Sequence, residues 1–507
     1  MTNRKSGDFL DLVERLANRV PGVAQVFLWL SLVVVIASVV VSLAGAEAIH
    51  PATGEAIRAK NLLGAEHIRR LLTEMPKTFT DFPPLGTVLT IMLGIGIADR
   101  SGLIGAAVGG FIQRAPARLL PFAVVFAGIM SSIAADAGFL IIPPLAAAIY
   151  AAAGRHPVAG VAAAYAGVSG GYSANLLITS LDPLLAGLTQ AAAQIMDPAL
   201  EVLATANWFM MAALVPLLSI GGAFVSTRIV EPRLGQWTAP SGFEAPGVDC
   251  ASVRERRALR RTGWVAVALL AIILALTLPE NAVLRDPETG SSAPFFQAII
   301  AILTLSLGLL GLTYGYAAGT IRSSGDAVKM AERTVSDMAL YIVIVFVAAH
   351  FIALFTWSNL GVLIAIGGGT LLQASGLGPG PLLVALILFC GLINLFITSA
   401  SAKWALLAPI FVPMFMLVGL PPELTQGAYR VGDSFTNILA PTMVYLPLVL
   451  AVAVRYVPSF TLGRMIATMV PYAMMIFCIG TLLLLGFLAL NLPLGPGQAL
   501  ASLQAPG

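Results

Sequence analysis

Five uninterrupted apolar stretches, at about 24 to 46, 203 to 225, 294 to 318, 335 to 356 and 466 to 491, each reach the roughly 20 residues that a helix needs to cross a bilayer. A soluble protein would have to cover such segments with charge, and about a quarter of its residues would be charged. Here Lys+Arg 28 and Asp+Glu 25 amount to 10% of 507 residues, against 58% hydrophobic and a mean hydropathy of +0.91. These values exclude a cytosolic enzyme, a disordered chain and a nucleic-acid binder. The expected fold is an all-α polytopic membrane protein, with residues 1–507 forming a single integral membrane domain.

Basic residues set the orientation, because short basic loops stay on the cytoplasmic side. Arg228, Arg233, Arg254, Arg256, Arg257, Arg260 and Arg261 mark 226–262 as a cytoplasmic loop. Arg4, Lys5, Arg15 and Arg19 place the N-terminus inside, and the apolar stretch after them is too long for a signal peptide and lacks a cleavage site. A shorter span at 263 to 278 leads outward, and Arg322, Lys329 and Arg333 mark the next inside loop. After 491 no charge follows, which predicts an external C-terminus. The segment 47–82 resists the rule: Arg58, Lys60, Arg69, Arg70 and Lys77 fall where an outside loop is expected, offset by Glu47, Glu55, Glu66, Glu74 and Asp81. Cys250, Cys390 and Cys478 have no disulfide or metal spacing.

Two regions, about 115–200 and 380–455, are different: Pro, Gly, Ser, Thr, Asn and isolated charges interrupt their apolar runs. Lipid cannot satisfy a broken backbone, so such breaks must be buried in protein or line a watery cavity. The two regions also resemble one another. Ser132, Asp136 and an apolar run to Pro143 match Ser399, Lys403 and a run to Pro409, while Val168-Ser-Gly-Gly-Tyr-Ser-Ala-Asn175 matches Val431-Gly-Asp-Ser-Phe-Thr-Asn437 with one gap. Each copy reads as a polar hairpin followed by an interrupted helix, at 131–138 with a break at 169–183, and at 398–404 with a break at 432–441. Paired interrupted helices in two halves point to the central site of a transporter.

An ionisable residue at membrane depth costs several kcal/mol unless paired or hydrated. Asp136, Asn175, Asp182, Asn394, Lys403, Arg430 and Asp433 all lie in the two repeats. Arg430 and Asp433 are three apart on one helical face and can pair with each other, or Arg430 can hold a substrate carboxylate with Asp433 orienting it. Ser399 and Ser401 offer donors, and Trp404 offers either a ring for stacking or an interfacial anchor. Asp182 precedes Pro183 at the first break, where it can cap a helix or bind a coupling proton or cation. Asn175 and Asn437, with the carbonyls of the breaks, are oxygen ligands suited to sodium, which makes a sodium site near Asn175 and Asp182 possible. Asp337 reads as an interfacial helix start and His350 as a hydrogen-bonded core histidine.

With Gly170-Gly-Tyr-Ser-Ala-Asn175-Leu-Leu-Ile-Thr-Ser-Leu-Asp182-Pro183, Ser399-Ala-Ser-Ala-Lys403-Trp404-Ala-Leu-Leu-Ala-Pro409, Pro421-Pro422-Glu423, Tyr429-Arg430-Val-Gly-Asp433-Ser and Asn437-Ile-Leu-Ala-Pro441, the chain resembles the AbgT family, the p-aminobenzoyl-glutamate transporters, over nearly its whole length. The resemblance implies a homodimer in the bacterial inner membrane, with about nine transmembrane helices and two re-entrant hairpins per subunit. It also implies p-aminobenzoate-type substrates, imported as the glutamate conjugate or exported with sulfonamide antimetabolites. In the family, positions corresponding to Asp182, Asn394, Ser401, Trp404, Pro422, Arg430, Asp433 and Pro441 line the transport pathway.

Other classes remain to be weighed. A sodium-coupled dicarboxylate importer would share the architecture. A channel would need a continuous polar path, which two asymmetric sites with a bulky Trp do not suggest. Ser399 and Ser401 beside Lys403 bring Ser-Lys chemistry to mind, but no oxyanion arrangement is legible and no enzyme is expected. Without a Gly-Lys-Ser/Thr phosphate loop, and with no cofactor expected, a proton or sodium gradient is left as the driving force.

Overall fold

The computed structural model describes residues 23–49, 54–134, 137–238 and 252–496, and it is almost entirely helical. In hydrocarbon only helices and closed barrels satisfy their own backbone, so long apolar runs have one solution. The first span, α1 (Val23–Leu43), leads to a short antiparallel hairpin, β1 (Glu47–Ile49) and β2 (Ala56–Arg58), and then to α2 (Ala65–Thr80). The segment expected as a charged outside loop is therefore structured, and two of its five basic residues are met locally. Arg58 pairs with Glu47 at 2.8 Å, and Arg70 pairs with Glu74 at 3.0 Å while lying 4.4 Å over the ring of Trp357.

Helices α3 (Pro83–Arg100), α10 (Val253–Thr277) and α11 (Ile299–Ala318) form a scaffold. α3 meets α11 through small residues: a side chain on Gly94 would stand 2.3 Å from the Thr304 carbonyl, and one on Gly311 2.7 Å from the Ala98 backbone. In lipid, such close backbone approach is a main source of helix association. α10 is longer than the span expected at 263–278. A capping box of Ser252 and Glu255 starts it, and Arg254 to Arg261 form its first turns, their long side chains able to reach the membrane surface. From the other side, α9 (Trp208–Val225) runs on through a π turn to Leu234, so the expected 226–262 loop is shortened at both ends; 239–251, with Cys250, lie outside the described residues.

The stretch expected to start at 335 is divided. α12 (Ser324–Asp337) is amphipathic and ends before α13 (Ala339–Trp357), and Asp337, at its end, pairs with Arg100 of α3. At the other end of α12 the Arg322 backbone N–H and then the Ser323 hydroxyl hold the Asp326 carboxyl below its usual range. His350 sets Nδ1 2.6 Å from the Phe346 carbonyl, as a hydrogen-bonded core histidine should.

The repeat recurs in the order of the helices and extends beyond 115–200 and 380–455. Its first copy is α4 (Leu103–Arg114), the hairpin arms α5 (Leu120–Ser131) and α6 (Ala137–Ala152), the half-helices α7 (Pro157–Tyr165, continued by a π turn to Gly170) and α8 (Leu181–Ala193), and α9. Its second is α14 (Leu360–Ala374), the arms α15 (Pro379–Asn394) and α16 (Ala400–Leu417), the half-helices α17 (Pro422–Asn437) and α18 (Leu446–Tyr456), and α19 (Leu462–Ala489). The copies grip each other reciprocally: α16 packs on α8, α6 packs on α18, and α9 lies against α19. Glycines face each other at matching places, Gly128 against Gly167 and Gly391 against Gly432.

The second break lies at 438–445, not from 432 as expected. Gly432 interrupts nothing, since it sits inside α17 and lets α15 approach so closely that an added side chain would meet the Ile387 carbonyl at 2.5 Å. Eight helices among the described residues are long and apolar enough to span. With α16 taken as a hairpin arm and each half-helix pair as one crossing, the described helices make nine crossings and two hairpins. α9 has no side-chain cap; instead the carbonyl of Leu494 accepts from the backbone N–H groups of Phe209 at 2.8 Å and Met210 at 3.2 Å.

Gly94→Leu should therefore lower the thermal midpoint of the detergent-solubilised protein, with overpacking costing about 1–3 kcal/mol or more. Gly86→Ala on the same helix, where an added side chain meets open space, should leave it unchanged. Equal midpoints for both variants, measured by heating and size-exclusion chromatography, would show that the α3–α11 contact does not hold the scaffold.

Candidate functional site

α17 carries most of the polar side chains, and its sequence explains how. Gln426, Arg430, Asp433 and Asn437 follow at intervals of three and four, so they line one face of the helix. That face turns away from lipid and towards α8, α15 and α16. Pro422 at its first turn supplies a fixed φ where no N–H partner is needed.

Two buried ion pairs organise the centre, and neither is the Arg430–Asp433 pair the spacing allowed. Arg430 Nη2 donates to Asp182 Oδ1 of the other repeat at 2.6 Å, with both side chains no more than 1% exposed. Lys403 Nζ pairs with Asp433 and also donates to Asn394 Oδ1. Residues three apart on a helix point the same way, and each found a closer partner on a facing element. Asp182 is not the cap of α8, which is Ser180; its Oδ2 accepts from the Thr179 backbone N–H at 2.6 Å and hydroxyl at 2.9 Å. The turn thus holds one carboxylate oxygen and leaves the other for Arg430.

Nε and Nη1 of Arg430 are buried and have no hydrogen-bond partner. An unpaired buried N–H of a cation costs at least as much as any neutral donor left unsatisfied, so acceptors are owed at both positions, one on each edge that Nη2 shares. Thr189, Trp404 and Gln426 form a separate chain of hydrogen bonds. Trp404 Nε1 donates to Thr189 Oγ1 at 2.9 Å, and that hydroxyl donates to Gln426 Oε1 at 2.6 Å. Trp404 is fully buried and stacks on Tyr429 with centroids 4.5 Å apart, so its ring is occupied by a protein partner.

Asn394 ties the hairpin to α17, its Nδ2 donating to the Asp433 carbonyl at 2.8 Å, Thr436 Oγ1 at 2.9 Å and Asn437 Oδ1 at 3.1 Å. In the first repeat the link is simpler: Asn175 Nδ2 donates to Ser132 Oγ at 3.0 Å and its Oδ1 accepts from the Leu177 N–H, so the oxygen proposed for sodium already has a donor. Beside this core opens a cavity of about 600 Å³, lined among others by Tyr172, Ser180, Ser399, Ser401, Asn437 and Tyr445. The structure thus buries Asp182, Asn394, Lys403, Trp404, Arg430 and Asp433 around α17 in three sets of contacts and sets Ser399, Ser401 and Asn437 on the cavity wall. Pro422 and Pro441 stand at the start of α17 and in the break after it. Asp136 lies outside the described residues. Thr189, Gln426, Tyr429 and Thr436 escaped the sequence reading; Gln426, one turn before Arg430, was the one with a visible signal.

Removing one partner of a buried pair leaves a bare charge and costs about 3–5 kcal/mol, whereas replacing both with apolar groups is often close to neutral. Lys403→Met should accordingly depress folded yield strongly, and adding Asp433→Leu should restore much of it. A double variant as poor as the single, by fluorescence-detected chromatography, would mean that the pair does not balance itself.

Comparison with known proteins places this geometry. Residues 8–501 match the model of the AbgT putative transporter family. The p-aminobenzoyl-glutamate transport protein of Escherichia coli K12 is 38% identical over 498 residues, 98% of this chain and 97% of that protein. Among solved structures, the YdaH transporter of Alcanivorax borkumensis superposes with a TM-score of 0.89 at 41% identity, covering 94% of this chain and all of that one. MtrF of Neisseria gonorrhoeae, described with a class of antimetabolite efflux pumps, superposes with a TM-score of 0.91 at 40% identity, covering 96% of this chain and 99% of that one.

Proposed function

The chain belongs to the AbgT putative transporter family, and from that premise we propose that it is an ion-driven secondary carrier of p-aminobenzoate-type aromatic carboxylates. Its substrates include p-aminobenzoyl-glutamate, which the name of the Escherichia coli relative supports, and it also carries sulfonamide antimetabolites, where the description of MtrF supports antimetabolites as a class. It works as a homodimer in the bacterial inner membrane and does no covalent chemistry. The observation that carries this reading is Arg430: a guanidinium deep in the protein, held on one side by Asp182 and with Nε and Nη1 unpartnered.

A guanidinium makes two parallel bonds to a carboxylate, and a substrate reaching the network from the cavity competes with Asp182 for it. Neutralising Asp182, by a proton or a bound sodium ion, weakens its hold and frees Arg430. Ion and substrate are then loaded together, and release of the ion restores the pair and expels the carboxylate. The aromatic ring rests in the cavity beside Tyr172 and the stacked pair of Tyr445 and Phe139, where Ser399 and Ser401 offer hydroxyls. The cytoplasmic side is the one carrying the basic ends Arg100, Arg228, Arg233, Arg455 and Arg464. α3 then enters from outside and α13 from inside, which makes the two halves inverted, with the N-terminus inside and the C-terminus outside.

Proteoliposome uptake of labelled p-aminobenzoate and p-aminobenzoyl-glutamate, under separate proton and sodium gradients, tests the reading. Arg430→Lys should lose most transport while remaining folded, since an ammonium cannot copy the fork; near-normal uptake would reduce Arg430 to a structural partner. Asp182→Asn keeps the shape and the turn to Thr179 but frees Arg430. It should bind substrate measurably, exchange it between two sides, and fail to concentrate it against a gradient. If the Asn variant concentrates substrate as well as wild type, the coupling site is elsewhere. Unsaturable flux with a matching conductance would favour a channel.

A further inference from the structure

A second cavity, of about 470 Å³, lies apart from the buried ion pairs and has almost no polar wall. Leu103, Ala107 and Phe111 of α4, Phe126 and Met130 of α5, and Leu259, Gly263 and Ala266 of α10 line it, with Leu307 and Leu310 of α11 at the back. It is therefore a cleft between the first arm of a hairpin and the scaffold. A side chain added at Gly263 would project into open space.

Its charge lies at one end. Arg256 and Arg260 continue the stripe of Gly263 and Ala266 at helical spacing, and Arg114 follows Phe111 and Ala107 on α4. Arg114 and Leu259 both come within 4 Å of the point where a Gly110 side chain would stand, which brings α4's last turn beside the first turns of α10. Arg114, Arg256 and Arg260 are exposed and form no ion pair with any described residue, whereas Arg58, Arg70, Arg100 and Arg155 all have acidic partners. An apolar slot between apolar helices that ends in unpaired arginines is complementary to one kind of molecule, an acyl chain with an anionic head.

We propose that this cleft binds one anionic phospholipid, its acyl chain lying between α5, α10 and α11 and its phosphate held by Arg114, Arg256 and Arg260. Each guanidinium can fork onto phosphate oxygens. The lipid touches both the scaffold and the hairpin whose end, at Ser132, is bonded to Asn175 at the first break, so its occupancy sets how freely the hairpin moves against the scaffold. Binding itself does not depend on the transport reading and is measured without it.

Native mass spectrometry of the purified full-length protein, titrated with phosphatidylglycerol or phosphatidylcholine, reads the retained lipid directly. Wild type should retain phosphatidylglycerol selectively. Arg256→Gln with Arg260→Gln should weaken that retention about 25-fold, at about fivefold per arginine. Arg322→Gln with Arg333→Gln, an equal loss of charge just before and on α12, should leave it unchanged. Ala266→Trp, or Gly263→Leu if the first does not fold, should abolish retention by filling the slot without altering charge. Equal retention of both lipids, full retention in the Gln double variant, or retention unaffected by either filling variant would overturn the proposal. So would a disulfide cross-link between two copies bearing Gly263→Cys, which would assign the cleft to a subunit interface.

Discussion

One ion pair, Arg430 with Asp182, makes the two halves of this protein a single object. Burying a charge at membrane depth costs several kcal/mol, and a facing counter-charge with good geometry offsets it only while both remain in place. The second repeat brings Lys403, Arg430 and Asp433 to the centre, one positive charge too many, and the first brings Asp182. Neither half is balanced without the other at this point. The Thr179 turn adds direction, because it occupies one oxygen of Asp182 and aims the other across the interface.

The close approach this requires comes from residues without side chains. Gly391 and Gly432 let α15 and α17 touch, and Gly128 and Gly167 do the same for α5 and the π turn after α7. Tight backbone contact positions α17 so that its polar face meets the hairpin end, where Asn394 gathers Asp433, Thr436 and Asn437. The reciprocal contacts of α16 with α8 and α6 with α18 then interlock the hairpins with the half-helices of the opposite repeat. The same packing that creates the cavity beside Ser399 and Ser401 therefore also fixes the ion pairs behind it.

Much of this was legible in the sequence. The apolar runs gave the spans, and the interruptions marked both hairpins and breaks, because lipid tolerates a bare backbone group so poorly. Nearly all the buried charges stand out in the sequence, because charges are rare in the two broken regions. What remained hidden was partnership. Spacing brings Arg430 and Asp433 onto one face, but two residues on one face compete for partners across the gap as readily as they pair, and their true partners lie 248 and 30 residues away. Trp404 shows the same limit: the sequence leaves it either a ring for stacking or an interfacial anchor, and in the fold it is buried against Tyr429, one residue before Arg430. At Gly432 a residue that usually marks a break instead marks a contact, and only the facing Ile387 carbonyl distinguishes the two. The charges of 47–82 misled because composition cannot distinguish a loop from an amphipathic helix lying on the surface.

The cap of α9 bears on how the molecule is made. Two amides at the start of that helix have no acceptor until Leu494 folds over them, and Leu494 is translated long after Phe209 has left the ribosome. During synthesis the first repeat thus enters the membrane with one helix end unfinished and with Asp182 still lacking Arg430. Insertion and maturation become distinct stages: the helices can be threaded in order, but the first half acquires its final form only when the second has been delivered.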